Sequence, residues 1–127
     1  MTKMRALTTA FLCIANSGLA QGAEVDRFGC EIMDRPAELT FDGFSDAWRS
    51  IAADRLYSFT RHQNAVEAGT CDCGVLRPNW TETLDRFEAL GFSTGPSSAY
   101  RDWSSAVYSP QIADLRRTVQ DMCGGAN

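Results

Sequence analysis

Residues 42–74 read DGFSDAWRSIAADRLYSFTRHQNAVEAGTCDCG. Within this stretch Phe44, Trp48, Ile51, Ala52, Leu56, Phe59, His62 and Val66 recur at steps of three and four. Such steps line one face of an α-helix and are too long for the two-residue period of a strand. Asp42 or Ser45 can accept hydrogen bonds from the first free amides, and Asp46 suits the positive end of the helix dipole. Gly69 is the residue type that most readily takes the left-handed conformation ending a helix. The pattern predicts a helix from about Phe44 to Ala68, roughly 38 Å long at about 1.5 Å per residue. It is the scaffold on which the rest of the chain is expected to pack.

The helix runs directly into Cys71-Asp72-Cys73. Two more cysteines, Cys30 and Cys123, lie far away on either side. Four cysteines allow three pairings. A Cys71–Cys73 bond would close a small strained ring, which disfavours the pairing that contains it. In both remaining pairings one cysteine of the C-x-C bridges to Cys30 and the other to Cys123, and the sequence leaves these two open. Either closes loops of forty to fifty residues and gathers the leader segment and the last helix at one end of the long helix.

Downstream, Asn79 can cap a helix with Glu82 completing a capping box, and Trp80, Leu84, Phe87 and Leu90 form its apolar stripe. Gly91 ends it, and Phe92 is placed to fold back on Phe87. A turn at Ser93–Ser98 precedes a short helix carrying Tyr100, Trp103 and Val107. Ser109-Pro110 then restarts the count, with Ser as cap and Pro in the first turn. Ile112, Leu115, Val119 and Met122 form the last stripe, closed by Cys123 and ended by Gly124-Gly125. Upstream, Gln21–Gly29 has no periodicity and is expected to fray; Cys30–Phe41 reads as a loop with one helical turn starting at Pro36. No useful stretch alternates with period two. The expected fold is all-α, a three- to four-helix domain stapled by two disulfides.

The N-terminus reads as a secretory signal peptide. Lys3 and Arg5 precede an apolar run, Ala6–Ala15, and small residues lead to a cut after Ala20, with Ala23 as the second option. Residues 1–20 are then removed and 21–127 form one domain of 107 residues, with no later stretch apolar enough to span a membrane. The full chain carries a net charge of −4. Removing Lys3 and Arg5 leaves ten arginines against sixteen acidic residues, a net charge of −6. Such an acidic domain argues against nucleic acid as a partner. Export and disulfides point to a periplasmic or secreted protein, and the lysine-free mature segment fits a GC-rich bacterial genome.

The chemistry-bearing candidates are few. A redox-active C-x-C is opposed by Asp72, whose charge between the sulfurs disfavours a thiolate. Cys30, Cys71, Cys73 and His62 are metal-ligand types, but thiols in an exported chain are usually oxidised, so neither a metal nor another cofactor is expected. Glu82, Asp85 and Glu88 have the spacing of a solvated helix face; Glu82–Arg86 and Asp114–Arg117 read as ordinary ion pairs on such faces. Tyr57 lies nine residues after Trp48, on the opposite side of the helix. If Trp48 faces the core, Tyr57 faces out, flanked by Ala53 and Arg61, and the three make a candidate partner-binding strip. The alternative is that a later helix covers this side too and Tyr57 is core. Function is expected to be non-enzymatic: an exported interaction or accessory protein bound to another protein of an envelope, secretion or conjugation complex. A thiol–disulfide oxidoreductase using Cys71 and Cys73, and a secreted inhibitor or immunity protein, are the other classes.

Overall fold

The computed structural model describes residues 24–125, so the signal-peptide reading lies outside the described residues. The domain is all-α. Helix α1 spans Ala47–Ala68, α2 is a single turn at Cys73–Leu76, α3 spans Thr81–Ala89, α4 spans Ser97–Trp103 and α5 spans Ser109–Cys123. Helix α1 is the central element, packing on α3 and α5 most extensively and on α2 and α4 at its ends. Among the described residues there is no strand, only one antiparallel bridge between Val25 and Glu31.

The helix ends follow local chemistry closely. Gly69 takes φ 62° and donates to the Ala65 carbonyl at 2.9 Å, ending α1. At the end of α3, Gly91 takes φ 78°, its N–H donates to Glu88, and the Phe92 N–H reaches back to Phe87 at 3.0 Å. The two phenyl rings meet edge to face with centroids 5.6 Å apart. This is the expected Schellman closure with its hydrophobic contact. The turn after Pro36 is present as a short 3₁₀ segment, Ala37–Leu39, and it carries Leu39 into the core.

Four expectations need correction. Regular α1 begins at Ala47, not Phe44; Phe44–Asp46 is a 3₁₀ turn, and the Phe44 ring is 98% exposed. Ile51 is exposed as well, because the buried surface of α1 is centred one position further on, at Ala52, Ala53, Leu56 and Tyr57. Glu82 does not close a capping box. Asn79 accepts from the Thr81 N–H at 3.1 Å, whereas Glu82 pairs with Arg86 and accepts from Asn64 of α1 at 2.8 Å. The leader is also ordered from Glu24 onward. Asp26 accepts from the N–H groups of Phe28 and Cys30, and it pairs with Arg77 at 2.6 Å.

The fourth correction concerns Ser109-Pro110, which does not restart a helix. Residues Ser104–Tyr108 form a π-helical turn that joins α4 to α5 without a break. The Ser109 N–H donates to the Ser104 carbonyl, five residues back. Pro110 has no N–H to donate, and its ring would crowd the carbonyl four residues earlier in a regular helix. One wide turn before it relieves both problems. Arg55 of α1 holds this turn in place, donating to the Tyr100 hydroxyl at 2.6 Å and to the Ser104 hydroxyl at 3.3 Å.

The core is divided along α1. Toward the N-terminal end, Trp48, Leu56 and Tyr57 pack with Trp80, Phe87, Phe92 and Tyr100. Phe92 lies at its centre, fully buried and edge-on to Trp48, Phe87, Tyr100 and Trp103. Midway, Phe59 meets Tyr108 and Ile112 of the compound helix. Toward the C-terminal end the core shrinks to Cys30, Ala65, Leu76 and Val119.

Candidate functional site

The C-x-C sits where this small core begins. Cys73 bridges to Cys30 and Cys71 to Cys123, with Cα–Cα separations of 5.2 and 5.5 Å. Both bridges are long-range, and each cysteine of the pair has a distant partner as the sequence requires. The structure also decides between the two pairings left open. After α1 ends at Gly69, Cys71, reached first, meets Cys123 at the end of α5, and Cys73, the first residue of α2, meets Cys30 of the leader. These disulfides fit an oxidising compartment. Among the described residues no helix is long and apolar enough to cross a membrane, and no three His, Cys, Asp or Glu side chains gather as a metal site would need.

The strip predicted on the outer side of α1 does not face solvent. Ala53 is fully buried and Tyr57 is 5% exposed. The segment after α2 crosses this side and lays Trp80 flat on Tyr57, with ring centroids 4.0 Å apart and planes 13° apart. The Tyr57 hydroxyl donates to the Pro78 carbonyl at 2.8 Å, and the Trp80 indole N–H donates to the Met33 carbonyl at 3.2 Å. Burial pushes the Tyr57 phenol up, so it stays a neutral donor. The alternative reading, in which this side of α1 is covered twice, is the one realised.

Arg61, one turn on, has a different setting. It lines a cavity of about 360 Å³ together with Asp26, Arg27, Ser58, His62, Arg77 and Arg116. These residues come from four separate parts of the chain. Arg61, Ser58 and His62 lie on α1, Asp26 on the leader loop, Arg77 just after α2, and Arg116 on α5. Four arginines and a single carboxylate, Asp26, therefore line one cavity in an otherwise acidic domain. Asp26 is committed to Arg77. Desolvation pushes its carboxyl up, but the Arg77 hydrogen bond and the N–H groups of Cys30 and Phe28 outweigh this and leave its pKa below the usual value.

Arg61 itself is half-buried. One terminal nitrogen donates to the Leu76 carbonyl at 3.0 Å, while its buried Nε–H finds no hydrogen-bond partner among the described residues. Desolvation first, then repulsion from Arg77, lowers its pKa to about 10. His62 is 5% exposed, and its Nδ1 lies 2.6 Å from the Ser58 carbonyl. A carbonyl only accepts, so Nδ1 carries the proton. Desolvation, with Arg61, Arg116 and Arg77 nearby, lowers its pKa to about 4, and the ring is neutral at pH 7. Arg116 is exposed and reaches the Ser58 hydroxyl at 3.3 Å. The cavity is thus a cleft with an excess of positive charge, the Ser58 hydroxyl and a neutral imidazole.

No family model matches this chain, and no curated protein or solved structure matches it.

Of the residues singled out from sequence, the structure brings Arg61 and His62 to one cleft and leaves Tyr57 and Ala53 in the core behind it. Arg77, Arg116 and Asp26 were missed. They lie 16 to 55 residues from Arg61 in the chain, on segments whose local patterns are those of a connector, a solvated helix face and a leader. The two bridges were the only available signal, since Asp26 is four residues before Cys30 and Arg77 four after Cys73.

Proposed function

We propose that this protein is an exported, non-enzymatic interaction protein, an accessory subunit of a bacterial envelope assembly such as a secretion or conjugation apparatus. One observation carries the reading: all four cysteines of residues 24–125 are committed to long-range staples. They leave no thiol in that segment for redox chemistry, and they hold a small domain rigid outside the cytoplasm. The partner is another protein of the same compartment, and nucleic acid is disfavoured by the charge of the chain. Arg61, half-buried in the cleft wall, is the one residue of the predicted strip that is not buried and remains open to a partner.

The competing class is a thiol–disulfide oxidoreductase. Titration of thiols on the native mature protein separates the two. We expect no reactive thiol in a glutathione buffer of periplasmic poise and no disulfide reductase activity. Release of two thiols with turnover of a disulfide substrate would overturn the proposal. For the partner itself, a photocrosslinking residue at exposed Asp121 and another at exposed Arg27 should each yield a discrete adduct with an envelope protein in living cells. Absence of any adduct from either position, with thiol turnover present, would assign the oxidoreductase class.

A further inference from the structure

The structure assigns a second property to the chain: the cleft between the leader loop, α1, the α2 turn and α5 is a binding site for an oxyanion, a carboxylate or phosphate group held by Arg61, Arg77 and Arg116. Three observations lead to it. The cleft concentrates like charge. Four of the ten arginines of the described chain line one cavity of about 360 Å³ with a single carboxylate, Asp26. Of the six arginines elsewhere, four are paired one to one with a carboxylate: Arg35–Asp54, Arg49–Asp46, Arg86–Glu82 and Arg117–Asp114.

The donors are also unspent. Arg61 keeps a buried Nε–H without a protein acceptor, and Arg116 reaches only hydroxyl groups, Ser58 at 3.3 Å and Tyr108 at 3.5 Å. A buried donor without an acceptor is costly, and a guanidinium fork matches the paired oxygens of a carboxylate or phosphate. The neighbours suit an anion as well. The Ser58 hydroxyl is a further donor, and Phe28 walls the cleft on the leader side.

The arms of the cleft are positioned by the staples. Cys30–Cys73 joins the segment bearing Asp26 to the segment bearing Arg77, and Cys71–Cys123 anchors the helix bearing Arg116. The inference is independent of the proposed partner, because it concerns a ligand that the purified domain binds alone.

The test uses the oxidised mature protein with inorganic phosphate and with succinate, each against chloride at equal ionic strength. Melting temperature and the ¹H–¹⁵N resonance of the Arg61 Nε are followed through each titration. Phosphate or succinate should raise the melting temperature and shift the Arg61 Nε resonance saturably, and chloride should do neither. Arg116→Gln removes an exposed side chain with only long hydrogen bonds, so the fold should survive. It should weaken the apparent affinity by roughly tenfold, the loss of one charge-assisted contact. Arg117→Gln, on the same helix and paired with Asp114, should leave the affinity unchanged. A saturable response to phosphate alone or to succinate alone identifies the kind of oxyanion. An equal response to chloride, or an equal loss in Arg116→Gln and Arg117→Gln, would show only general screening of charge and would overturn the assignment.

Discussion

Toward its N-terminal end, α1 buries Trp48, Leu56 and Tyr57 among the rings of Trp80, Phe87, Phe92 and Tyr100. Toward its C-terminal end it offers Ala65 and Val66 to Leu76 and Val119. The first region holds itself together by area removed from water and by offset and edge-to-face ring contacts. The second has too little apolar surface for that, and it also borders a cleft of mutually repelling arginines. Both disulfides fall there. A cross-link acts largely by restricting the unfolded chain, so it stabilises a region whatever side chains line it. A small domain can therefore place a charged, poorly packed cleft at one end, provided covalent bonds offset what burial does not supply.

Removing the staples should break this comparison most strongly. In the chain-entropy model each bridge, with sequence separations of 43 and 52, contributes about 4 kcal/mol. Replacing all four cysteines by alanine should lower stability by roughly 8 kcal/mol, a large share of the total for a domain of this size. Removing either bridge alone should lose about half as much in a urea titration. Hydrogen exchange should then rise first in residues 24–32 and the last turn of α5, while α3 stays protected. Uniform exchange across both ends would mean that the two regions are not separately held.

The aromatic end is probed by Tyr57→Ala, which empties the stack against Trp80 and leaves the Pro78 carbonyl without its donor. A loss of about 3–5 kcal/mol is expected in the same urea titration. Hydrogen exchange should here rise in residues 78–89 before the stapled end responds. A variant that melted like the parent would return Tyr57 to the surface.

The smallest expected effect is the pH dependence of the cleft. His62 titrates near 4 in the fold and near 6.5 when unfolded. Above pH 6.5 the ring is neutral in both states, and its contribution is fully present. As pH falls from 6.5 toward 4 the unfolded chain takes up a proton that the folded chain does not, so stability falls. Below 4 both states are protonated and the loss is complete, about 3 kcal/mol in all. Asp26, whose pKa is lowered, acts in the same direction at lower pH. His62→Gln should flatten the profile between pH 6.5 and 4 and leave the Asp26 limb intact. An unchanged profile would place the acid sensitivity elsewhere.

Much of the fold was legible because its determinants are local. The three- and four-residue steps of α1, the Gly69 stop and the Gly91–Phe92 closure depend on residues within a turn or two of one another. The bridging of Cys71 and Cys73 to distant partners followed from ring strain. The start of α1 was misjudged because Phe44 fits the helical period, yet no neighbour is placed to cover it. The single helix through Pro110 was missed because Ser-Pro is also a good start, and a π-turn has no sequence pattern of its own.

What the sequence determined by itself was therefore the helical class, the long scaffold helix, the order of the elements and the existence of two staples. Only the tertiary structure decided which cysteine met which and that Trp80 covers Tyr57. It also decided that Arg61, Arg77 and Arg116 share a cleft with Asp26. The reason is physical: periodicity, caps and ring strain act within a few residues along the chain. The burial of a particular face and the gathering of charges depend on which segments cross it, a choice made by the whole packing and by bridges spanning 43 and 52 residues.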